Sequence, residues 1–480
     1  MNGTATTGQG SLGYRWPVLA AAAAVTGCIS ALLGYLSGPY TDDLLLAAWA
    51  RDNSWTDILT LKAAPLPLYL LKWKFAVIMN PGEPYAVAHV WAGIVHGINC
   101  LLIFLLLSDF FPAAYAAAGA VLAAIYRPGN EAWLWAAAEN DGMLCLFLLL
   151  TLFCWRRSAT NSRFYLPAFL AFTAAMLTKP NAVFIVPCLA VHDLGFSLFG
   201  KDTGQHRAKW FAVIAFTGAG YAAFAFRVRG LWDVVYPEKP LFMMGLVRVG
   251  ESILRSLLLV RPVGIIEHEV IGFSVTGLFI LWLVFASPVV RFGLCWFLAF
   301  LAPPLVASGF MGGRYVYSGM LGLLVVLVHL AHRFSRKHPR RNRWLLAAAL
   351  LWGLAHLAAN GRDIAFRRSW GSAYTELRLV LEANKTELAE AGRLQVVNAG
   401  QPNESWTEQV LLYDLKLRLP LVLSQGVCSS QDDPCLLFRE NYYQGELRST
   451  GKYPSRALGP GVRFVSASTS GRETPSGIDR

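Results

Sequence analysis

Long apolar segments constrain this chain more than any other feature of its sequence. Of its 480 residues, 55% are hydrophobic and only 15% are charged, whereas soluble domains carry about 25% charged residues. Several segments approach the roughly 20 apolar residues that an α-helix needs to cross a bilayer. The pattern predicts a mainly α, polytopic membrane protein with eleven spans. The predicted spans are 16–37, 85–107, 113–127, 142–156, 164–178, 180–194, 210–227, 270–286, 291–309, 315–332 and 343–360.

The distribution of basic residues predicts how these spans are oriented. A net charge of +12 and a pI near 9.4 would indicate nucleic-acid binding in a soluble protein. Here the excess of basic residues in cytoplasmic loops explains the charge, so no nucleic-acid partner is expected. With the N-terminus in the cytoplasm, the basic clusters at 156–163, 201–209 and 332–343 all fall in cytoplasmic loops. The extracytoplasmic segments are then 38–84, 128–141, 228–269 and the chain after 361.

The composition changes near residue 361, beyond which the chain is ordinarily polar. The sequence therefore predicts a membrane domain over 1–360 and a small extracytoplasmic α/β domain over 361–460. Ser, Gly and Arg dominate the last 20 residues, so 461–480 are predicted to be a disordered tail. Within the α/β domain we predict helices at 374–391 and 406–419 and strands at 394–399 and 419–424.

Two cysteines differ from the others because they lie in a polar segment. Cys428 and Cys435 belong to the sequence GVCSSQDDPC, where no histidine accompanies them, so a zinc site is disfavoured. A local disulfide is expected if this end of the chain faces an oxidising compartment. Two further segments, 44–50 and 241–260, combine apolar and polar residues as helices lying along a membrane interface do.

Polar residues that interrupt the apolar sequence concentrate in the segments predicted to be extracytoplasmic. They supply both carboxylates and cations at one membrane face. Transfer of a group from a phosphate-linked carrier needs both, because a carboxylate can accept the proton of an incoming hydroxyl and cations can stabilise the phosphate that leaves. The candidates are Asp42, Asp43, Arg127, Glu131, Glu139, Asn140, Asp141, Lys179, Arg261, His268, Arg314 and Tyr315.

An ordered set of motifs resembles the GT-C fold glycosyltransferases. These are GPYTDD after the first span, APLPLYLL, RPGNEAWLWAAAEND, LTKPNAVFIVP and FLAPPLVASGFMGGRYVYSGMLGL. The set is most similar to the protein O-mannosyltransferases of glycosyltransferase family 39 and their transmembrane tetratricopeptide-containing relatives, over residues 35–330. The resemblance implies a polyprenyl- or dolichyl-phosphate sugar as donor, inversion at the anomeric carbon and an acidic pair that holds the catalytic base.

The resemblance also assigns roles to individual residues. Asp42 or Asp43 would be the base, with Asp42 slightly favoured. Lys179 matches the lysine of the family's Ser-Lys-Glu motif, and Arg314 and Tyr315 match the Arg-Tyr of its Glu-Arg-Tyr motif, as donor-phosphate ligands. Glu131 and Asp141, which match acidic positions of the second outer loop, are expected to contact the acceptor or to support the site.

The chain departs from the family's pattern at four positions. Arg127 replaces a histidine, Glu139 an arginine, and Pro180 and Gly313 each a glutamate. Tetratricopeptide repeats do not follow the membrane part, so the resemblance implies the fold more strongly than the substrate. The acceptor is left open among a lipid, a glycan and a protein. His96, within a predicted span, is expected to be a packed or hydrogen-bonded histidine.

Other functions stay open on the sequence alone. An O-antigen ligase or polymerase would depend on Arg261 and His268 of the third outer loop. A transporter or flippase would place its polar residues at mid-membrane, and a non-enzymatic scaffold would only present the C-terminal domain. Paired acids can hold a divalent cation, so metal dependence is left open, and no other cofactor is expected. The Ala-rich composition favours a bacterial inner membrane with a periplasmic C-terminal domain, or the ER membrane in a eukaryote.

Overall fold

The structure is a computed structural model, which describes the greater part of the chain. Four sequence predictions cannot be compared with it. The described residues exclude the predicted helix at 406–419, Arg261 and Cys428, and they include only a few residues of the predicted interfacial helix at 241–260. The described residues are 16–37, 42–59, 67–196, 204–228, single residues and short runs between 247 and 257, 268–308, 314–391, 393–397, 421–424, 435–437 and 463–465.

Helices account for nearly all of the described membrane part. Three short 3-10 turns precede or interrupt them near the candidate site, at Arg127–Gly129, Ala136–Ala138 and Pro180–Phe184. The helices are α1 (Trp16–Ser37), α2 (Asp42–Asp52), α3 (Trp55–Leu59), α4 (Pro67–Met79), α5 (Pro84–Ser108), α6 (Ala113–Ile125), α7 (Glu131–Leu134), α8 (Asn140–Arg157), α9 (Tyr165–Thr178), α10 (Ile185–Gly195), α11 (Gly204–Val228), α12 (His268–Phe285), α13 (Pro288–Ser308), α14 (Arg314–Lys337), α15 (Asn342–Ala383) and α16 (Lys385–Glu390).

Each predicted span coincides with a helix, but the count of eleven membrane spans is not confirmed. Within the described residues, five helices are long and apolar enough to cross a membrane. Helices such as α6, with 13 residues, fall short of the ~20 residues that a spanning helix needs. The five candidates are Pro17–Ser37, Pro84–Ser108, Ala136–Arg157, Arg314–Lys337 and Pro339–Ala365. Four shorter apolar helices accompany them, at Ala113–Ile125, Pro180–Gly195, Gly272–Phe285 and Pro288–Leu301.

Small residues allow the helices to pack closely. Along the contact between α1 and α5, a Cβ added at Gly27 would lie 2.9 Å from the carbonyl oxygen of Gly93. A Cβ at Gly93 or at Gly97 would collide with α1 backbone oxygens. Helices in lipid associate largely through van der Waals packing, and small residues allow their backbones to approach closely enough for it. The backbones of α1 and α5 therefore touch.

One continuous core joins the middle helices. It includes buried side chains of α5, α6, α8, α9, α10, α13 and α14, among them Trp155, Phe172 and Trp296. A smaller core joins α2 and α4 to the loop before α8, through Ala50, Trp73 and other residues. This second core holds the polar loop 127–139 against α2 and α4, which decides where the candidate site forms.

The chain beyond residue 360 differs from its predicted organisation in two respects. The predicted boundary at 361 falls inside α15, which runs without interruption over 42 residues to Ala383. Its polar residues after 360 contact the loop 127–131, so the change in composition there reflects new partners. The predicted helix 374–391 is divided between the end of α15 and α16.

Four short strands follow these helices in a sheet of order β2-β1-β3-β4. Both predicted strand segments contain one, and β1 pairs in parallel with β2 and β3. β4 lies within the segment predicted to be disordered, where antiparallel pairing with β3 supplies backbone hydrogen bonds. The segments between the strands lie outside the described residues, so the α/β domain itself remains a prediction. The strands are β1 (Leu394–Val397), β2 (Leu421–Ser424), β3 (Cys435–Leu437) and β4 (Arg463–Val465).

Polar side chains occupy both ends of the helix bundle. One end carries Asp43, Lys179 and Arg314 together with the loop 127–139, and we refer to it as the Asp43 end. The other carries Asp193 and is called the Asp193 end. The Asp43 end corresponds to the face that the sequence predicted to be extracytoplasmic.

Candidate active site

The acidic pair lies at the start of α2. Acidic residues suit this position because the N-terminal end of a helix carries a partial positive charge. The side chain of Asp43 is 1% exposed, and its Oδ1 accepts a hydrogen bond of 2.6 Å from the backbone N–H of Ala137. Asp42 begins the helix, but its side chain lies outside the described residues. Asp43 therefore ties α2 to the loop before α8.

Three side chains hold the backbone of that loop at neighbouring residues. Besides Asp43, Tyr69 donates its hydroxyl to the carbonyl oxygen of Ala137 at 2.5 Å. Lys72 donates from Nζ to the carbonyl oxygen of Ala136 at 2.9 Å. Because α4 supplies both Tyr69 and Lys72, the loop is fixed against α2 and α4 together.

Lys72 also forms a buried ion pair with Glu139. Its Nζ lies 2.9 Å from Glu139 Oε2, and the two side chains are 3% and 0% exposed. Sequence reasoning did not select Lys72. The available signal was a lysine inside the apolar stretch PLYLLKWKFAVIM, which marks a buried cation that needs a partner. Glu139, where the family has an arginine, is that partner.

Asp141 and Lys179 form a second ion pair at the ends of α8 and α9. Lys179 Nζ lies 2.7 Å from Asp141 Oδ1, with side-chain exposures of 19% and 1% respectively. The other oxygen, Asp141 Oδ2, is buried with no hydrogen-bond partner among the described residues. Lys179 Nζ also lies 4.9 Å from the centre of the Tyr315 ring. The lysine is held by one carboxylate and faces one aromatic ring.

Arg314 also lies close to the Tyr315 ring. Its guanidinium carbon is 5.3 Å from the centre of the Tyr315 ring and 5.1 Å from that of Trp135. Its backbone N–H donates to Glu131 Oε2 at 3.1 Å. In the described part of the chain, Arg314 Nε is buried and has no hydrogen-bond partner. Two cations thus lie near the Tyr315 ring; the ammonium of Lys179 contacts the carboxylate of Asp141, and the backbone of Arg314 contacts the carboxylate of Glu131.

The structure therefore brings together six of the predicted site residues: Asp43, Glu131, Asp141, Lys179, Arg314 and Tyr315. Arg261 lies outside the described residues, and His268 begins α12 with a side chain that is not described. Cys435 lies in β3, while Cys428 is outside the described residues, so the disulfide remains a prediction.

His96 behaves as a buried hydrogen-bonding residue, as the sequence suggested. Its Nδ1 lies 2.6 Å from the hydroxyl of Tyr317, and its ring stacks on Trp133 with centroids 5.2 Å apart. Asn99 joins this network by donating to the Tyr317 hydroxyl at 3.2 Å and to the carbonyl oxygen of Gly142 at 3.0 Å. The network contacts the start of α8 through the carbonyl oxygen of Gly142.

The Asp193 end contains a polar network that sequence reasoning did not find. The sequence treated Arg207 as a loop cation, but it lies in α11 with a completely buried side chain. Its Nε and Nη2 each lie 2.6 Å from an oxygen of Asp193, which is equally buried. Trp155 donates to the same carboxylate at 3.1 Å. All these hydrogen bonds join α8, α10 and α11, so the network links helices.

No group of three or more His, Cys, Asp or Glu side chains within the described ranges could hold a metal ion. The Asp43 end offers the carboxylates and cations of the chain itself. Carboxylates can accept protons, and the two cations beside Tyr315 can bind an anionic oxygen.

Comparison with known proteins connects part of this site to a family. The family model of dolichyl-phosphate-mannose-protein mannosyltransferase matches residues 62–227, about a third of the chain. The matched segment contains Lys72, Glu139 and Lys179 but ends before Arg314 and begins after Asp43. No curated protein matches the chain. Over residues 62–227 the protein is thus similar to the dolichyl-phosphate-mannose-protein mannosyltransferases, a match that supports an integral membrane glycosyltransferase of the GT-C type.

Proposed function

We propose that this protein transfers a sugar from a polyprenyl-phosphate carrier to a lipid, glycan or protein acceptor, at the extracytoplasmic face of its membrane and with inversion of the anomeric carbon. The observation that carries the proposal is that Lys179 and Arg314 both lie close to the Tyr315 ring, beside the loop that Asp43 holds. The site thus combines cations for a phosphate with carboxylates for a proton.

Lys179 and Arg314 bind the phosphate of the donor in this proposal. When the sugar leaves, the bond from its anomeric carbon to the phosphate oxygen breaks, and that oxygen gains a negative charge. Cations already held in place stabilise this charge without first having to reorganise. Asp141 holds the ammonium of Lys179, and Glu131 holds the backbone from which the Arg314 side chain extends.

Asp42 is the general base of the proposed reaction, and Asp43 is the residue that positions it. Asp43 is buried and already accepts the amide hydrogen of Ala137, a role that favours its neighbour for chemistry. The acceptor oxygen forms its bond to the anomeric carbon as its proton passes to the Asp42 carboxylate. Attack by the acceptor opposite the leaving phosphate accounts for inversion.

The proposed orientation keeps the N-terminus in the cytoplasm. The basic cluster 332–343 then lies on the cytoplasmic side, as the positive-inside rule requires. The Asp43 end and the residues beyond α15 face the periplasm if the membrane is a bacterial inner membrane, or the lumen if it is that of the ER. The lipid donor stays in the membrane while its phosphate reaches the site.

Sugar release from a panel of radiolabelled polyprenyl-phosphate sugars tests the proposal, with purified protein in detergent and native lipid extract as the source of acceptor. Asp42→Asn is expected to lower turnover by about 10³-fold or more, since it removes the base. Asp43→Asn keeps an oxygen for the amide of Ala137 and is expected to lose less activity. Asp52→Asn is the matched control, because Asp52 ends the same helix and is exposed.

Unchanged turnover in Asp42→Asn would overturn the assignment of the base. Wild-type protein that releases no sugar from any carrier, although it is folded and supplied with extract, would count against a transferase. Sugar release that depends on Arg261 or His268 instead would favour the ligase alternative.

A further inference from the structure

One face of α15 contacts the start of the second outer loop. Its contacting residues, His356, Asn360, Asp363 and Arg367, are four, three and four positions apart and therefore share a side of the helix. We call this side the Asp363 face. Its hydrogen bonds and ion pairs described below are to residues 125–131, the segment that leads into the candidate site.

The strongest contact on the Asp363 face is between Arg127 and Asp363. Arg127 Nε and Nη2 lie 2.9 and 3.1 Å from the two carboxylate oxygens, a bidentate arrangement. Asn130 donates to the same carboxylate at 2.8 Å and to Asn360 at 2.9 Å. Asn360 in turn donates to the carbonyl oxygen of Ile125 at 2.7 Å.

Glu131 connects the Asp363 face to the candidate site. Its Oε1 lies 3.6 Å from Arg367 Nη2, and its Oε2 accepts from the backbone N–H of Arg314. The two oxygens of one carboxylate thus connect α15 with the first residue of α14. Arg314 is also the residue whose guanidinium lies beside Tyr315.

We propose that the Asp363 face of α15 positions Arg314 for the donor phosphate, through the loop 125–131 and Glu131. The proposal rests on the proposed function, because it assigns a positioning role within that same site. Asp363 touches neither donor nor acceptor here. It acts through Arg127 and Asn130, which keep the loop, and therefore Glu131, at one distance from Arg314.

The pair of Arg127 and Asp363 also explains a departure from the family's pattern. The family has a histidine where this chain has Arg127. Arg127 has a carboxylate partner at this position, because Asp363 reaches it across 236 residues of sequence. The outer part of α15 and the loop therefore form one unit in this chain.

Binding of decaprenyl phosphate, which carries no sugar, tests the proposal without requiring an acceptor. Asp363→Asn is expected to raise its Kd about tenfold, because the loop loses its ion pair and Arg314 its fixed position. The exchange Arg127→Asp with Asp363→Arg is expected to restore binding to within about threefold of wild type, since it re-forms the pair in the opposite sense.

Asp109→Asn is a closely matched control at the Asp193 end. Asp109 accepts from Arg156 at 3.0 Å and is 21% exposed, against 2.9 Å and 24% for Asp363 in its pair with Arg127. Its replacement should cost similar stability and leave the Kd unchanged. The comparison thereby distinguishes a loss of stability from a loss of the correct position of Arg314.

A double-mutant cycle separates positioning of Arg314 from a general loss of structure. In an Arg314→Ala background, Asp363→Asn should raise the Kd no further, because the guanidinium that it positions is gone. An equal effect in both backgrounds would overturn the proposal, and so would an unchanged Kd in Asp363→Asn when wild-type protein binds. Wild-type protein that binds no decaprenyl phosphate would instead overturn the proposed function, and this inference with it.

Discussion

Lys72 Nζ and Glu139 Oε2 lie 2.9 Å apart in a pair that is closed to solvent. The two residues are 67 positions apart in the sequence, and their contact joins α4 to the loop that leads into α8. Removing one member of a buried pair leaves an uncompensated charge, whereas replacing both members with uncharged residues of similar size can be nearly neutral.

Lys72→Met is therefore expected to destabilise the protein by about 3–5 kcal/mol, and Lys72→Met with Glu139→Gln by much less. Unfolding of the detergent-solubilised protein with increasing denaturant measures both. Glu382→Gln serves as the control because Arg378 and Glu382 form an exposed pair at 4.0 Å, whose loss should cost under about 1 kcal/mol. A double variant that is no more stable than Lys72→Met alone would contradict a direct pairing.

Lys179→Met should weaken the binding of polyprenyl phosphate by about 10- to 100-fold, the value of a hydrogen bond between charged groups. The change removes the cation between Asp141 and Tyr315. Equilibrium binding of decaprenyl phosphate provides the measurement, with Lys337→Met as control because Lys337 ends α14 at the other end of the bundle. Equal affinity of the Lys179 variant and the wild type would remove Lys179 from the phosphate site.

Arg207→Lys is expected to lower stability by about 2 kcal/mol or more, although it conserves the charge. Lysine cannot donate to both oxygens of Asp193 in the planar arrangement of the guanidinium. Thermal inactivation of decaprenyl phosphate binding would reveal the loss, while the initial Kd should not change. Arg163→Lys, at an exposed residue, should leave both properties as they are. If the Arg207→Lys variant is as stable as the wild type, the bidentate geometry is dispensable.

Gly93→Ala should destabilise the contact between α1 and α5, because the added methyl would collide with the backbone of α1. The sign of this effect is informative, since alanine is ordinarily preferred over glycine inside a helix by about 1 kcal/mol. Gly220→Ala tests that preference, as no atom lies within 4 Å of a Cβ added at Gly220. Comparison of the two midpoints of unfolding gives the result. Equal midpoints would mean that α1 can move away from α5.

Helix positions could be read from the sequence because apolar composition is a local property. The predicted span 16–37 and α1 have the same bounds. The number of membrane spans could not be read in the same way. Segments such as α6 are apolar but too short by themselves, and α15 extends far beyond its apolar part because its polar residues find partners on the loop.

The polar residues of the site were predicted by type, but their partners were not. The sequence selected Lys179 because it interrupts an apolar stretch and Asp141 because it lies in the second outer loop, and the structure pairs them. Nothing local indicates that Lys72 meets Glu139, or that Arg127 meets Asp363. Such pairings depend on how helices that are distant in sequence pack against each other, which composition and periodicity do not specify.

Because α15 is uninterrupted, the number of residues in it sets the direction, about the helix axis, in which the chain leaves it. Each residue of an α-helix advances the chain by about 1.5 Å and turns it by about 100°. One residue inserted after Arg367 would leave the Asp363 face in place but rotate everything carried beyond Ala383 by that angle. The length of α15 therefore sets the azimuth, the angle about the helix axis, at which the chain continues towards the strands β1–β4. Changes of seven residues, close to two full turns, preserve this azimuth, whereas changes of one or two residues turn the whole C-terminal part away.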